Sequence, residues 1–317
     1  MGETLPPLDI NNGDMTATPA PIASRPDREG VAVRLLKGSA KKSYEPVVDI
    51  DWAAPLADDK YFLPPQMSSL YGTRLWEQMS VQQRIDLSRH ELVNYLSMGI
   101  WFENMLNQSL LRGMIRSSPT ADSTFYELTE LGDEARHMLM FGKAIRRIGV
   151  EPFWPTGRHA RSVNTMPFIF RGPMLWIAAL VGEEIFDALQ RRILEDGQEV
   201  QPLVQRLMRI HVTEEARHIQ FARDGIRRDV AEMPLRTRWI LANLHGLGAT
   251  LYLKNFTRRG LYQRVGLDGA AAQRQARANK HFHDVQKLGF ASLGEFLEEL
   301  GLMGPLARRM WKRSHFL

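Results

Sequence analysis

Apolar side chains recur every three or four residues along most of the chain beyond residue 80, which is the spacing of α-helices. The first long helix is predicted to begin at Ser80, where Ser80 and Gln83 form a capping box, and to run to about Arg116. Further helices are predicted over residues 123–149, 173–195, 202–230, 235–259, 269–287 and 292–313. The pattern therefore predicts an all-α protein.

Two segments lack this period. Residues 1–45 are rich in Pro, Gly, Ser, Thr and Asp, and prolines keep the next residues irregular. Such a composition buries too little apolar surface to fold by itself, so residues 1–60 are predicted to form a flexible, irregular N-terminal arm and residues 61–317 a single helical domain. Residues 150–172 contain three prolines and are predicted to be the crossover connection of a helical bundle.

A short acidic and histidine-containing motif occurs twice within the apolar stripes. Glu134 and His137 lie in Asp-Glu-Ala-Arg-His, and Glu215 and His218 lie in Glu-Glu-Ala-Arg-His, at an offset of 215 − 134 = 81 residues. Because residues three apart share one face of a helix, each Glu-x-x-His directs a carboxylate and an imidazole at one point. The alternative, two surface faces of salt bridges, has to explain why these carboxylates lie among apolar residues, where they are costly.

Each motif is preceded by another helical glutamate about thirty residues earlier. Glu103 occupies this position in the first half and Glu183 in the second. Glu184 competes with Glu183, and only the register of the repeat favours Glu183. Glu127 and Glu130 share the stripe of the first motif, but we do not count them as ligands because they lack a histidine three residues later.

This set of residues is typical of a dinuclear metal site. One Glu from each of two helices, plus Glu-x-x-His from each of the other two, is the ligand set of di-iron and di-manganese four-helix bundles. His211 lies one turn before Glu215, where the first half has Glu130, and is either a third imidazole ligand or a core residue. Four carboxylates and three imidazoles suit iron, with manganese as the alternative.

Composition narrows the function further. The 317 residues include no cysteine, which excludes disulfides and thiolate metal sites. No stretch approaches the roughly 18 apolar residues of a membrane span, and no signal peptide is evident, so a cytoplasmic protein with no membrane partner is expected. The net charge of +5 comes without a nucleic-acid-binding motif, so we expect no nucleic-acid partner; a mildly basic surface suits an acidic substrate or redox partner.

Three further groups of basic residues have weaker functional assignments. His159 lies in the crossover connection, and His245 lies in a strongly apolar helix where packing is its expected role. Residues 269–287 contain a basic face that is either solvated or a clamp for a substrate carboxylate near the metal site. Its candidate substrate-binding residues are Arg274, Arg277, Lys280 and His281.

Over about residues 75–290 the chain resembles the ferritin-like di-iron N-oxygenases of arylamines, typified by p-aminobenzoate N-oxygenase, and His211 is the most specific part of the match. The resemblance implies a ferritin-like four-helix bundle with additional C-terminal helices. It also implies two iron ions, O2 as co-substrate and a peroxo di-iron intermediate that converts an amine to a hydroxylamine and then a nitro product, in natural-product (antibiotic) biosynthesis. The implied metal ligands are Glu103, Glu134, His137, Glu183, His211, Glu215 and His218.

The resemblance also implies partners. We expect a small aromatic amine as substrate and an external electron donor, and a homodimer is compatible with the sequence. Asp133, Glu214 and Asp187 are predicted to orient the imidazoles. Alternative functions are another di-iron oxygenation (C–H hydroxylation, desaturation or N-hydroxylation of an aliphatic amine), iron storage, and a metal-free helical scaffold.

Overall fold

The computed structural model describes residues 27–155, 157–195 and 197–317, and regular structure in them is helical apart from an isolated bridge between Tyr61 and Val200. The all-α prediction is therefore confirmed for this part of the chain. In chain order its α-helices are α1 (Arg28–Lys41), α2 (Pro46–Asp49), α3 (Arg74–Gln78), α4 (Val81–Met114), α5 (Asp122–Ile148), α6 (Gly157–Ile169), α7 (Pro173–Glu195), α8 (Pro202–Glu232), α9 (Leu235–Phe256), α10 (Arg259–Arg264), α11 (Gly269–Ala278), α12 (Lys280–Glu299) and α13 (Pro305–Arg313).

Four long helices, α4, α5, α7 and α8, form the central bundle. Two helical hairpins, α4–α5 and α7–α8, are each joined by a short connection, as antiparallel neighbours require. The hairpins also pack antiparallel to each other, because the Tyr95 hydroxyl of α4 donates to the Phe186 carbonyl of α7 at 3.0 Å while Phe102 lies over Gly182. Successive helices α5 and α7 consequently run in the same direction.

The crossover connection contains a helix of its own. Parallel α5 and α7 start at the same end of the bundle, so the chain has to travel its full length between them. It does so along α4: the Phe153 amide donates to Ser97 Oγ at 3.0 Å, and the Arg112 guanidinium lies 4.1 Å from the ring of Phe168. The crossover prediction is confirmed, with α6 as an addition.

The ends of the long helices follow their sequence signals. Ser80 Oγ accepts from the Gln83 amide at 3.2 Å, and Gln83 Oε1 accepts from the Ser80 amide at 2.9 Å, so the predicted capping box starts α4. Gly149 ends α5 with φ of 76°, a left-handed conformation that costs glycine little. The ends of the bundle helices therefore lie within about two residues of their predicted positions.

Part of the segment predicted to be irregular is helical in the structure. Residues 28–41 form helix α1, which packs on α5 and α8. Val31, Ala32 and Leu35 are buried on one face, and the Glu29 carboxylate accepts from the Ser123 amide at 3.1 Å. Those apolar residues are too few to show a period against the polar residues around them. Residues 1–26 lie outside the described residues, and the division into arm and domain stays a prediction.

The C-terminal helices differ from prediction in their boundaries. A break at Asn279 replaces the single helix predicted over 269–287, because the Asn279 side chain accepts from the His281 amide at 3.1 Å and caps α12. Helix α12 then continues to Glu299, across the predicted start at residue 292. Gly301, with φ of 63°, and Pro305 separate it from α13. Within the described residues, no helix has the length and apolar character needed to cross a membrane.

Candidate metal centre

The structure brings all seven predicted ligands together in the middle of the bundle. Their donor atoms form two groups, in each of which all donor atoms lie within 4.8 Å of one another. Glu215 belongs to both. The first group contains Glu103, His137, His211 and Glu215, and the second contains Glu134, Glu183, Glu215 and His218. Two adjacent groups that share a carboxylate are the arrangement expected for two ions bridged by that carboxylate.

Each of the four bundle helices supplies at least one of these side chains. Helix α4 supplies Glu103, α5 supplies Glu134 and His137, α7 supplies Glu183, and α8 supplies the remaining three. All seven are at most 4% exposed. Burying four carboxylates in an apolar bundle is costly unless each is paired or binds a metal, and the three histidines cannot neutralise all four.

The imidazoles are oriented across the interface between α5 and α8. His137 and His218 direct Nδ1 into the cluster, at 3.2 Å and 2.8 Å respectively from oxygen atoms of Glu134. Their Nε2 atoms point outward, with Glu214 at 2.9 Å from His137 and Asp133 at 3.3 Å from His218. The acidic residue before each Glu-x-x-His therefore holds the imidazole of the other half, and such partners fix the ring that binds a metal.

These two carboxylates are themselves anchored. Asp133 pairs with Arg136, and Arg217 lies 3.5 Å from its other oxygen. Glu214 accepts from the Tyr44 amide at 3.0 Å. The orienting roles predicted for Asp133 and Glu214 match these contacts.

The orienting role predicted for Asp187 does not match its contacts. Its carboxylate accepts from Arg191 at 2.7 Å rather than from an imidazole, because the arginine one turn further along α7 reaches it directly.

Burial and the mutual repulsion of the carboxylates dominate the electrostatics of the two α4 and α7 glutamates. Burial, reinforced by neighbouring carboxylates, raises the pKa of Glu103 and of Glu183 well above the usual range. Burial also tends to raise the pKa of Glu215, but the surrounding histidines reverse this and hold the pKa well below its usual range. Burial lowers the pKa of His211 to about 3, which keeps its imidazole neutral and available as a ligand.

Glu183 provides the clearest test of whether a metal fits. Both of its carboxylate oxygens are buried without a hydrogen-bond partner in the described part of the chain. Buried polar atoms without partners are rare in proteins and call for an explanation such as an ion. Neighbouring Glu184 points elsewhere and pairs with Arg223. The structure thus puts Glu183, the residue favoured by the repeat, into the cluster.

The predicted substrate-binding residues lie away from the interior. Arg274, Arg277 and Lys280 are exposed, because α11 buries Ala272 and Ala276 on its opposite face. The Arg277 guanidinium donates to Thr257 Oγ1 at 2.9 Å, and His281 Nε2 donates to the Gln66 carbonyl at 2.7 Å. The structure does not bring these four residues to the cluster, and their role in binding substrate stays a prediction.

Two other histidines were assigned little chemistry. His245 Nε2 donates to the Leu302 carbonyl at 3.0 Å, and its ring meets Trp311 edge-on at 5.6 Å, so it is a packing residue as expected. The side chain of His159 lies outside the described residues.

Sequence reasoning missed a cavity between α4, α7, α12 and the segment before α4. It is lined by Leu63, Met67, Ser69, Glu91, Asn94, Tyr95, Leu189, Ile193, Phe256, Phe282, Val285 and Gln286. One Glu91 oxygen accepts from the Ser69 amide at 2.9 Å and its hydroxyl at 2.6 Å. The other Glu91 oxygen has no partner in the described residues. The only sequence signal was a glutamate on the apolar stripe of α4, one turn before Tyr95.

Comparison with known proteins agrees with this geometry. The family described as P-aminobenzoate N-oxygenase AurF matches residues 25–301. An uncharacterized protein of Mycobacterium tuberculosis (strain CDC 1551 / Oshkosh) is 28% identical over 298 residues, covering 88% of this chain and 84% of that protein. An uncharacterized protein of Mycobacterium bovis is 28% identical over 299 residues, with the same two shares.

Proposed function

Because the chain belongs to the p-aminobenzoate N-oxygenase AurF family, whose members are di-iron N-oxygenases of the ferritin-like superfamily, we propose that it oxidises an aromatic amine at nitrogen. The reaction uses O2 and proceeds from the amine through a hydroxylamine to a nitro product. The substrate is a small aromatic amine, an external donor supplies the electrons, and the product enters natural-product biosynthesis. The observation that carries the proposal is the clustering of seven buried carboxylates and imidazoles in two groups that share Glu215.

The proposed ligands of the two iron ions are the residues of these groups. Glu103, His137 and His211 would hold one ion, Glu134, Glu183 and His218 would hold the other, and Glu215 is available to either. Bound iron would supply the electrons that activate O2, which no amino-acid side chain provides. The protein contributes position: Asp133 and Glu214 fix the rings of His218 and His137, so their Nδ1 atoms stay directed at the ions.

Burial is the second contribution of the protein. The cluster residues are at most 4% exposed, so bulk water is kept from the reacting atoms. Exclusion of water prevents unproductive loss of a reactive oxidant and strengthens every charge interaction in the site. An aryl ring, itself apolar, suits such an interior better than a highly charged substrate does.

Iron loading followed by product analysis tests the proposal. The purified protein is loaded anaerobically with Fe(II), and bound iron is measured after removal of the excess. We expect two ions per chain. Addition of O2, a reductant and a panel of anilines and alkylamines should then yield hydroxylamino and nitro arenes, identified by mass spectrometry.

A matched pair of histidine variants serves as the control. His211→Ala removes a proposed ligand and should lower both iron content and product. His245→Ala removes another buried histidine, one outside the cluster, and should still bind two ions. Absence of iron from the loaded wild-type protein would refute the proposal. Exclusive formation of C-hydroxylated, desaturated or N-hydroxylated alkyl products would replace it with another di-iron oxygenation. Uptake of many ions per chain would instead indicate iron storage.

A further inference from the structure

The two halves of the cluster differ at one position. His211 lies one turn before Glu215 in the second half, and the residue 81 positions earlier is Glu130, one turn before Glu134. As a result, the first donor group contains two imidazoles, whereas the second contains a single imidazole, that of His218. The site is therefore asymmetric, and Glu130 is the residue that the repeat places in the position of a ligand.

Glu130 is a buried residue with a carboxylate oxygen that no hydrogen bond satisfies in the described part of the chain. It is 1% exposed, and its Oε2 atom has no hydrogen bond in the described part of the chain. The Tyr126 hydroxyl, one turn earlier on α5, is buried and unpartnered as well, so it does not satisfy Glu130. A carboxylate in this setting is costly, and an unexplained one calls for an unseen partner.

The repeat places Glu130 beside the second donor group. His211 shares the first group with Glu103 and His137, and the counterparts of these two residues in the repeat are Glu183 and His218. Both belong to the second group, whose four members are Glu134, Glu183, Glu215 and His218. Three of the four are acidic, and a histidine binds a metal in its neutral form. With an ion in that group, the ion itself would be the positive charge facing Glu130.

Glu127, on the same helix, is a buried glutamate with a structural role and serves as a comparison for Glu130. It lies three residues before Glu130 and is 6% exposed. Arg28 of α1 pairs with it, and that guanidinium also lies 5.1 Å from the ring of Phe221. Glu127 is thus explained by a salt bridge that attaches α1 to the bundle, whereas Glu130 has no such partner.

We propose that Glu130 is an eighth protein ligand of the centre, serving the ion of Glu134, Glu183 and His218 as His211 serves the other. Glu130 is not among the donors that lie within 4.8 Å of one another, so the proposal requires its side chain to rotate toward that group when an ion binds. This inference rests on the proposed function, because it requires that the cluster bind two ions. It makes the two ions chemically different, one held by more nitrogen and the other by more oxygen.

Anaerobic titration with 57Fe(II), followed by Mössbauer spectroscopy, tests the role of Glu130 without measuring activity. The wild type should bind two ions and show two quadrupole doublets. Glu130→Gln keeps the size of the side chain and should weaken the second binding step at least about tenfold, altering one doublet and leaving the other. The control Glu127→Gln removes a buried carboxylate from the same helix and should leave both steps and both doublets unchanged.

A second variant distinguishes the loss of a ligand from the loss of the fold. Glu130→His restores the repeat and should bind both ions within a few-fold of wild type, with the altered doublet shifted toward that of the imidazole-rich site. Wild-type affinities and spectra in Glu130→Gln would overturn the inference, and so would equal effects of Glu127→Gln and Glu130→Gln. A wild type that binds no iron would instead remove the proposed function on which it rests.

Discussion

Gly182 lies beside the proposed ligand Glu183 and against Phe102 of α4, and replacing it with alanine is expected to disturb the bundle there. A Cβ atom at this position would lie 1.7 Å from Cζ of Phe102 and 2.0 Å from its Cε1. Ordinary carbon contacts begin near 3.4 Å, so the ring of Phe102 has to withdraw by about 1.7 Å or the two helices have to separate. Either movement disturbs Glu103, the residue after Phe102.

The size of the effect follows from two opposing terms. Forcing a methyl group against the partly buried ring of Phe102 costs roughly 2 kcal/mol, the middle of the range for overpacking. Alanine is more favourable than glycine inside a helix by about 1 kcal/mol. Gly182→Ala should therefore destabilise the protein by about 1 kcal/mol. Gly142→Ala, on α5 with nothing within 4 Å of the new methyl group, should stabilise it by about 1 kcal/mol.

Thermal unfolding of the two variants measures the difference. A separation of about 2 kcal/mol corresponds to roughly 4 °C in Tm for a protein of this size. A double-mutant cycle identifies the cause: in a Phe102→Ala background the ring is gone, and Gly182→Ala should become stabilising like Gly142→Ala. The reasoning is refuted if Gly182→Ala melts at or above the wild-type temperature while Phe102 is present.

Three further predictions concern the cluster and the cavity. Asp133→Asn and Glu214→Gln should each lower iron affinity about 10- to 100-fold, measured by competition with a chromogenic chelator; unchanged affinity in both would contradict the reciprocal support of the imidazoles. Burial raises the pKa of Glu91 above its ordinary 4.5, so the stability it contributes is full below that value and is lost as the pH rises through the raised pKa. Glu91→Gln should thus gain stability relative to wild type as the pH rises above 4.5, and a Tm difference independent of pH would argue against this. Removal of iron with a chelator should lower Tm, by the equivalent of about 2.7 kcal/mol at free iron 100 times Kd; equal melting of both forms would show that iron does not bind the folded state preferentially.

The bundle and its cluster were predictable because each depends on local, repeated patterns. The capping box at Ser80 indicates where a helix starts, and each Glu-x-x-His motif indicates which helix face carries ligands. Both signals lie within a few residues of sequence. The choice of Glu183 over Glu184 needed the repeat, since one helix face does not distinguish adjacent positions. In the structure Arg223 accounts for Glu184, a contact across 39 residues that no local pattern reveals.

The parts that were missed depend on distant contacts. Helix α1 is stabilised by the pairing of Arg28 with Glu127, which are 99 residues apart. Asp187 was predicted to orient an imidazole, but its carboxylate pairs with Arg191 instead. The basic residues around Arg277 face outward because α11 buries the face that carries its small alanines. Glu130 was set aside for lack of a following histidine, although its isolation is visible only once the packing around it is known.

The crossed support of the imidazoles has a consequence for biogenesis. A ribosome-bound chain that has completed only α4 and α5 exposes Glu103, Glu134 and His137, yet the carboxylate that steadies His137 belongs to Glu214 and has not been synthesised. On the proposed function, ferrous iron would therefore meet no finished binding site until the second hairpin has docked. Such an order of assembly would keep a redox-active ion out of the chain while half of its core is still open to oxygen.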